Sequence, residues 1–359
     1  MAPVIDRIVL HVGLPKTGST AIQHSLLASA EDLATQGVAI PVTSAIIHRA
    51  MSGATFVDHA NLLTLNPDEI LLPGLTRIYA TRPLTPDGKQ LLDEMDRLIS
   101  SEKYHTLVLS AELLALCSEP TIARISQELH ARAPKVDVCM YVRPPDHLYR
   151  SHIAQAVRDG DRWRSPSAFR SGMRKAETTM SRHFGDGHVT VLAYKDNEPG
   201  WDVSRDFGRR LLDYDLTGSR MNRSLSLQGL YTVHSYRSTV NFENRHLRDR
   251  FELLVSWLSE RDHLYAHRIS PELAPSVKEQ VFKSNRGDVS WLNQLGLFGT
   301  ENTASSRGPA VRRMTGLNGL FCEVPSREAL KAYSDWIMDG LLEACVVLNV
   351  MLHDSAGSP

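Results

Sequence analysis

Short apolar runs alternate with amphipathic stretches through the first two thirds of the chain. Ile8–Val12 is a run of β-branched and apolar residues, which predicts a buried strand that Gly13 breaks. A helical period then runs from Gly18, Ser19 and Thr20 to about Thr35, with Ile22, Leu26, Ala30 and Leu33 on one stripe. Gly37 reads as the C-cap of that helix, and Val38–Ile40 as a second strand closed by Pro41. Residues 42–88 show little regular period. Gly88–Ser100 predicts an amphipathic helix with Leu91, Leu92, Met95 and Leu98 on one side. Further strands are predicted over His105–Leu109, Val136–Val142 and His188–Tyr194. Helices are predicted over Thr121–Ala133, from Pro145 to a stop at Gly160, over Ala168–Phe184 and over Ser204–Leu212.

The C-terminal third reads as mostly helical. Leu247, Phe251, Leu254 and Leu258 form a core stripe, and the Arg and Asp residues between them a solvated face. Residues 299–318 are rich in Gly, Ser, Thr and Arg and read as a loop or lid. Arg312 and Arg313 in that loop could meet an anionic substrate, but a solvated loop is the preferred reading. Two helices close the chain, with fraying expected over Asp354–Pro359.

Composition narrows the function. With 359 residues, 42% hydrophobic and 23% charged positions, the chain is that of an ordinary globular protein. A net charge of −1 argues against a general nucleic-acid binder. No run reaches the roughly 20 apolar residues of a membrane span. The longest candidate, Leu341–Leu352, contains Glu343 and reads as a buried helix. No secretory leader is visible, and Cys117, Cys139, Cys322 and Cys345 show no paired spacing, so a reduced, cytoplasmic setting is expected.

Candidate chemistry begins at Gly13. A strand, a tight glycine loop and a helix N-terminus make an anion cradle of converging backbone N–H groups. Gly13 and Gly18 have the spacing of a G-x-x-x-x-G-K-[ST] nucleotide loop, but Ser19 stands where its lysine belongs, and the loop lysine is Lys16. A second site stands at Glu112, just past the third predicted strand, on the sheet edge where ligands bind in open α/β folds. A carboxylate there can accept a proton from an alcohol, or simply complement a helix dipole. His59, followed by Asn61, is an imidazole that can approach a site or be satisfied in its loop. Arg143 ends the fourth strand, and Ser151 lies eight residues on in the next helix, about two turns along it. A guanidinium fork and a hydroxyl at that separation suit a phosphate. His263 and His267 are one helical turn apart but lack the glutamate of H-E-x-x-H, so no metal site is assigned.

P-K-T-G-S-T after a first strand resembles the 5′-phosphosulfate loop of sulfotransferases, and Y-V-R-P-P-D-H-L-Y-R-S resembles their 3′-phosphate site. F-G-D-G-H-V-T-V-L-A-Y-K and Asn222–Ser226 are similar to segments of bacterial members. The resemblance covers roughly the first 230 residues. It implies an α/β fold: a three-layer sandwich with a central parallel sheet of about five strands and a helical C-terminal elaboration. It also implies one domain over 1–359, with 1–230 the nucleotide-binding core and 231–359 an acceptor-side or lid region.

The implied co-substrate is 3′-phosphoadenosine 5′-phosphosulfate, leaving as adenosine 3′,5′-bisphosphate, with no metal. Carried over residue by residue, Pro15, Lys16, Thr17, Gly18, Ser19 and Thr20 hold the 5′-phosphate end, with Lys16 on the bridging oxygen. Arg143 and Ser151 hold the 3′-phosphate. Arg223 is the candidate for a late basic loop, although the usual Arg-Lys-Gly signature is absent. Glu112 is the first candidate for general base and His59 the second. The partner is a hydroxyl acceptor, a carbohydrate, glycolipid or small metabolite. Two rivals are weighed: a P-loop kinase or nucleotide hydrolase, which Ser19 opposes, and a non-catalytic relative that binds nucleotide or glycan.

Overall fold

The computed structural model describes residues 5–43, 46–49, 55–59, 62, 88–159, 162–195, 198–217, 225–239, 245–298, 317 and 319–355. Asn61, Asp196, Asn222, Arg223, Arg312 and Arg313 lie outside them, as does the side chain of Cys345. The chain divides into two units. The first comprises Met1–Leu148, Arg170–Met221 and Asn285–Thr303, and the second Tyr149–Phe169, Asn222–Ser284 and Ala304–Pro359.

The first unit is α/β. Its strands are β1 (Arg7–Gly13), β2 (Val38–Ala39), β5 (Thr106–Glu112), β6 (Lys135–Val142) and β7 (Val189–Ala193). They form a five-stranded sheet in the order β2-β5-β1-β6-β7, with every neighbouring pair parallel. A two-stranded antiparallel hairpin, β3 (Ile47–Arg49) and β4 (Thr55–Val57), occupies part of the stretch whose sequence carried no clear period.

The sheet is flanked by helices α1 (Ser19–Ala28), α2 (Ala30–Thr35), α3 (Gly88–Ser100), α4 (Glu119–His130), α6 (Met173–Phe184), α7 (Val203–Leu211) and α11 (Arg286–Gln294). From β1 the chain moves toward the β2 edge, whereas from β5 and β6 it moves the other way. Right-handed crossovers therefore put α1 on one face and α3, α4 and α6 on the other. A bidentate Arg132–Asp96 pair at 2.7 and 2.9 Å ties the α4 end to α3. The sheet core is formed by Ile8, Val9, Leu10 and Val12 with Leu107, Val108, Leu109, Val136 and Val138, all fully buried. Strands covered on both faces read as unbroken apolar runs, which is why they stood out in the sequence.

Helix α5 (Pro145–Asp159) begins in the first unit and continues into the second at Tyr149. The second unit also holds α8 (Leu227–Thr239), α9 (Arg245–Arg261), α10 (Pro275–Ser284) and α12 (Arg327–Ser355). Its core includes Phe251, Val255, Leu258, Val277, Val281, Tyr333 and Ile337. Asp262 is buried there and accepts hydrogen bonds from the Ser226 amide at 2.7 Å, the Ser226 hydroxyl and the Tyr333 hydroxyl.

Three helical stretches depart most clearly from expectation. The helix predicted to Thr35 is two helices, because Ser29 leaves helical backbone at φ −100° and ψ 10°. The helix predicted from Ala168 starts at Met173, because Gly172 is left-handed at φ 68°, a conformation that does not continue a helix upstream. The chain closes on one 29-residue helix rather than two. Gly340 sits inside it because a Cβ there would come 2.5 Å from the Trp257 ring, so the glycine allows close packing instead of ending the helix.

Candidate functional site

The strand order reverses at β1, so the crevice beyond the carboxyl ends of β1 and β6 is the topological switch point, where open α/β sheets bind ligands. Gly13 ends β1 there, and the loop Leu14–Gly18 leads into α1. Lys16 has φ 69° and Gly18 φ 86°, so the loop makes two left-handed turns in three residues. A non-glycine residue held in that region marks a backbone fixed by its surroundings. Two bonds hold it. The Thr17 hydroxyl donates to Leu14 O at 2.7 Å, and Arg143 Nη1 donates to Lys16 O at 2.8 Å.

The loop is shaped by what its glycines lack. A Cβ on Gly13 would collide with Ser19 Oγ and lie 3.1 Å from Glu112 Cα. A Cβ on Gly18 would meet Val203 at 2.8 Å and the Tyr194 ring at 2.9 Å. Helix α1 starts at Ser19 with no side-chain cap; the Ala21 amide turns back to Gly18 O at 3.0 Å, and the Ser19 and Thr20 amides are left for another acceptor. The Ser19 hydroxyl is buried and has no hydrogen-bond partner. An orphaned buried donor beside uncapped amides fits a tetrahedral anion, whose oxygens supply the missing acceptors.

Arg143, just past β6, is 6% exposed, and its guanidinium lies 5.1 Å from the centre of the Tyr194 ring. Tyr194 is held at the end of β7 by its own amide on Val142 O at 2.7 Å, and its ring meets Trp201 edge-on at 5.2 Å. Arg143 therefore ties three strand ends together: it bonds the β1 loop, follows β6 and stacks on the β7 end.

Glu112 is the last residue of β5 rather than a residue beyond it, and it stands opposite Gly13 in the parallel register. It is half-buried. The next residue, Leu113, is left-handed at φ 81°, and its amide donates to Gly13 O at 3.2 Å. The fold thus brings Lys16, Thr17, Gly18, Ser19, Glu112 and Arg143 to one end of one sheet. Pro15 and Thr20 complete the loop, both half-buried. Ser151 lies half-buried on the α5 segment of the second unit, and Arg223 is outside the described residues.

His59 is fully buried, and both its ring nitrogens are engaged by main-chain groups. Nδ1 lies 3.0 Å from the Ser110 amide and Nε2 lies 2.8 Å from Pro41 O. Burial lowers its pKa to about 4, against the partial support of those carbonyl bonds. A second buried histidine, His11 on β1, was not singled out as a site residue. Its Nδ1 lies 2.8 Å from Ser110 Oγ, its Nε2 has no partner, and burial lowers its pKa to about 3. The signal in the sequence was a polar residue at the same place in two apolar runs, I-V-L-H-V and L-V-L-S-A. Register makes His11 and Ser110 direct neighbours.

Among the described residues no group of three or more His, Cys, Asp or Glu side chains is placed to hold a metal ion, and no helix is long and apolar enough to cross a membrane.

No protein-family model and no curated protein sequence matches the chain. Solved structures do. A sulfotransferase from Alicyclobacillus acidocaldarius is 14% identical over 80% of this chain and 94% of its own, with a TM-score of 0.36. The sulfotransferase domain from the Synechococcus PCC 7002 olefin synthase is 14% identical over 72% and 94%, with a TM-score of 0.31. The sulfotransferase domain from the curacin biosynthetic pathway is 13% identical over 54% and 69%, with a TM-score of 0.29.

Proposed function

We propose that the chain is a sulfotransferase that moves the sulfuryl group of 3′-phosphoadenosine 5′-phosphosulfate to a hydroxyl acceptor. The observation that carries this reading is the loop at the end of β1: an uncapped helix start, an orphaned Ser19 hydroxyl in the position where a nucleotide hydrolase has its post-glycine lysine, and Lys16 inside the loop instead. In this reading the α1 amides with Ser19 and Thr20 bind the 5′-phosphate. Lys16 neutralises charge that grows on the bridging oxygen as the bond breaks. Arg143 binds the 3′-phosphate while its bond to Lys16 O keeps the loop in shape.

The acceptor oxygen attacks sulfur in line. The new S–O bond forms as the bridging S–O bond breaks, and adenosine 3′,5′-bisphosphate leaves with the electron pair. Glu112 takes the acceptor's proton. It is chosen over His59 because neither His59 nitrogen has a lone pair to spare: one accepts from Ser110 and the other donates to Pro41. A carbohydrate, glycolipid or small hydroxylated metabolite is the acceptor class proposed.

Calorimetric titration with adenosine 3′,5′-bisphosphate tests the reading, with ATP and Mg²⁺ run in parallel. Bisphosphate binding that weakens at least about tenfold in R143A, with little response to ATP, is the expected result. The roles proposed for Ser151 and Arg223 are read from S151A and R223A in the same titration. Binding of ATP with Mg²⁺ and not of the bisphosphate overturns the reading in favour of a kinase or hydrolase.

A further inference from the structure

Strand β2 is short. It pairs with β5 only at Thr106 and Leu107, and the chain then leaves the sheet through Ile40 and Pro41. The outer edge of β5 thus loses its strand partner before Glu112 is reached. An open edge at that point would leave the Ser110 amide and carbonyl buried and unpaired.

His59 fills the gap. Its amide donates to Ser110 O at 2.8 Å, and its Nδ1 faces the Ser110 amide at 3.0 Å. Nδ1 also lies 3.2 Å from Ser110 O, and Nε2 lies 2.8 Å from Pro41 O. Only one neutral tautomer satisfies these groups. With the proton on Nε2, the ring donates to Pro41 and accepts from Ser110. With the proton on Nδ1, two N–H groups would oppose each other and a lone pair would face the Pro41 carbonyl. The imidazole therefore works as a spacer between the departing β2 segment and β5. Ser110 has two further side-chain contacts: its hydroxyl lies 2.8 Å from His11 Nδ1, and Gln23 Nε2 lies 3.5 Å from its carbonyl.

We propose that His59 is a positioning residue: by bridging Pro41 and Ser110 it sets where the end of β5 stands, and with it the Glu112 carboxylate two residues on. The proposal rests on the reading of Glu112 as general base. It assigns His59 no proton transfer.

The amide-bearing variants separate the two ring contacts. H59N keeps an acceptor where Nδ1 stands, H59Q keeps a donor near Nε2, and H59A keeps neither. The first readout is hydrogen exchange of the Thr106–Leu113 segment in the full chain, which needs no turnover. H59A is expected to speed exchange at Ser110–Leu113 about tenfold or more, with H59N restoring most of the protection. Unchanged exchange in H59A overturns the proposal.

The second readout is sulfate release from 3′-phosphoadenosine 5′-phosphosulfate with water as acceptor, as a function of pH. H59A is expected to lose about tenfold in kcat, to keep its low-pH limb and to gain nothing from added imidazole, whereas H59N recovers most of the rate. Loss of that limb in H59A and H59N alike, with rescue by imidazole, makes His59 the base and overturns the proposal. If E112Q releases sulfate like the wild type, the Glu112 reading fails instead, and the exchange data alone then decide whether the bridge exists.

Discussion

Two fully buried histidines should make the first unit acid-labile well above the range in which carboxylates titrate. His11 and His59 have pKa values lowered to about 3 and about 4 by burial, against 6.5 for a free histidine. Both are neutral in the folded chain near pH 6, while the same residues in the unfolded chain take up protons as pH falls below 6.5. The folded pKa values lie below the unfolded one, so stability is greatest above pH 6.5 and declines as pH drops toward 4. Each such histidine contributes a slope of about 1.4 kcal/mol per pH unit, and the pair about 2.7. Between pH 6.5 and 4.5 the loss is about 5 kcal/mol, as large as the whole stability of many domains. Urea unfolding at half-unit steps from pH 7.5 to 4.5 measures it. H59N should lower the slope between pH 6.5 and 5 to about half, whatever it does to the absolute stability. A flat stability over that interval, or an H59N slope equal to that of the wild type, refutes the reasoning.

G18A puts a Cβ on a residue at φ 86° and against Val203 and Tyr194, so it should cost about 2 kcal/mol or more and abolish bisphosphate binding, read from the melting temperature and by calorimetry. R143K keeps the charge but loses the fork that reaches Lys16 O and stacks on Tyr194; bisphosphate affinity should fall about tenfold with an unchanged circular dichroism spectrum. D262A removes the acceptor of the Ser226 amide and of the Ser226 and Tyr333 hydroxyls in the second unit. It should destabilise that unit by about 3 kcal/mol, seen as an earlier urea transition of the Trp257 and Trp336 fluorescence. Wild-type behaviour in any of the three sinks the packing or bonding role assigned to that residue.

The strands were legible because a doubly covered parallel sheet demands unbroken apolar runs, and Ile8–Val12 and Val136–Val142 supply them. The strand-to-helix loop was legible for a local reason too: Gly13, Lys16, Gly18 and Ser19 lie within seven residues, and such a turn is built from sequence neighbours. The C-terminal helix was less legible. Two closing helices were expected where the chain forms one, and the packed Trp257 ring shows why that helix runs on through Gly340.

Tertiary structure alone decided which candidate groups meet. Glu112 stands beside Gly13 because β5 pairs with β1, a register between residues almost a hundred positions apart. The same pairing makes neighbours of His11 and Ser110, and where β2 leaves the sheet both His59 ring nitrogens meet main-chain groups, of Pro41 and Ser110. A side chain's residue type states which bonds it can make. Which of those bonds are already taken depends on strand order, register and burial, and these arise only when the chain closes on itself.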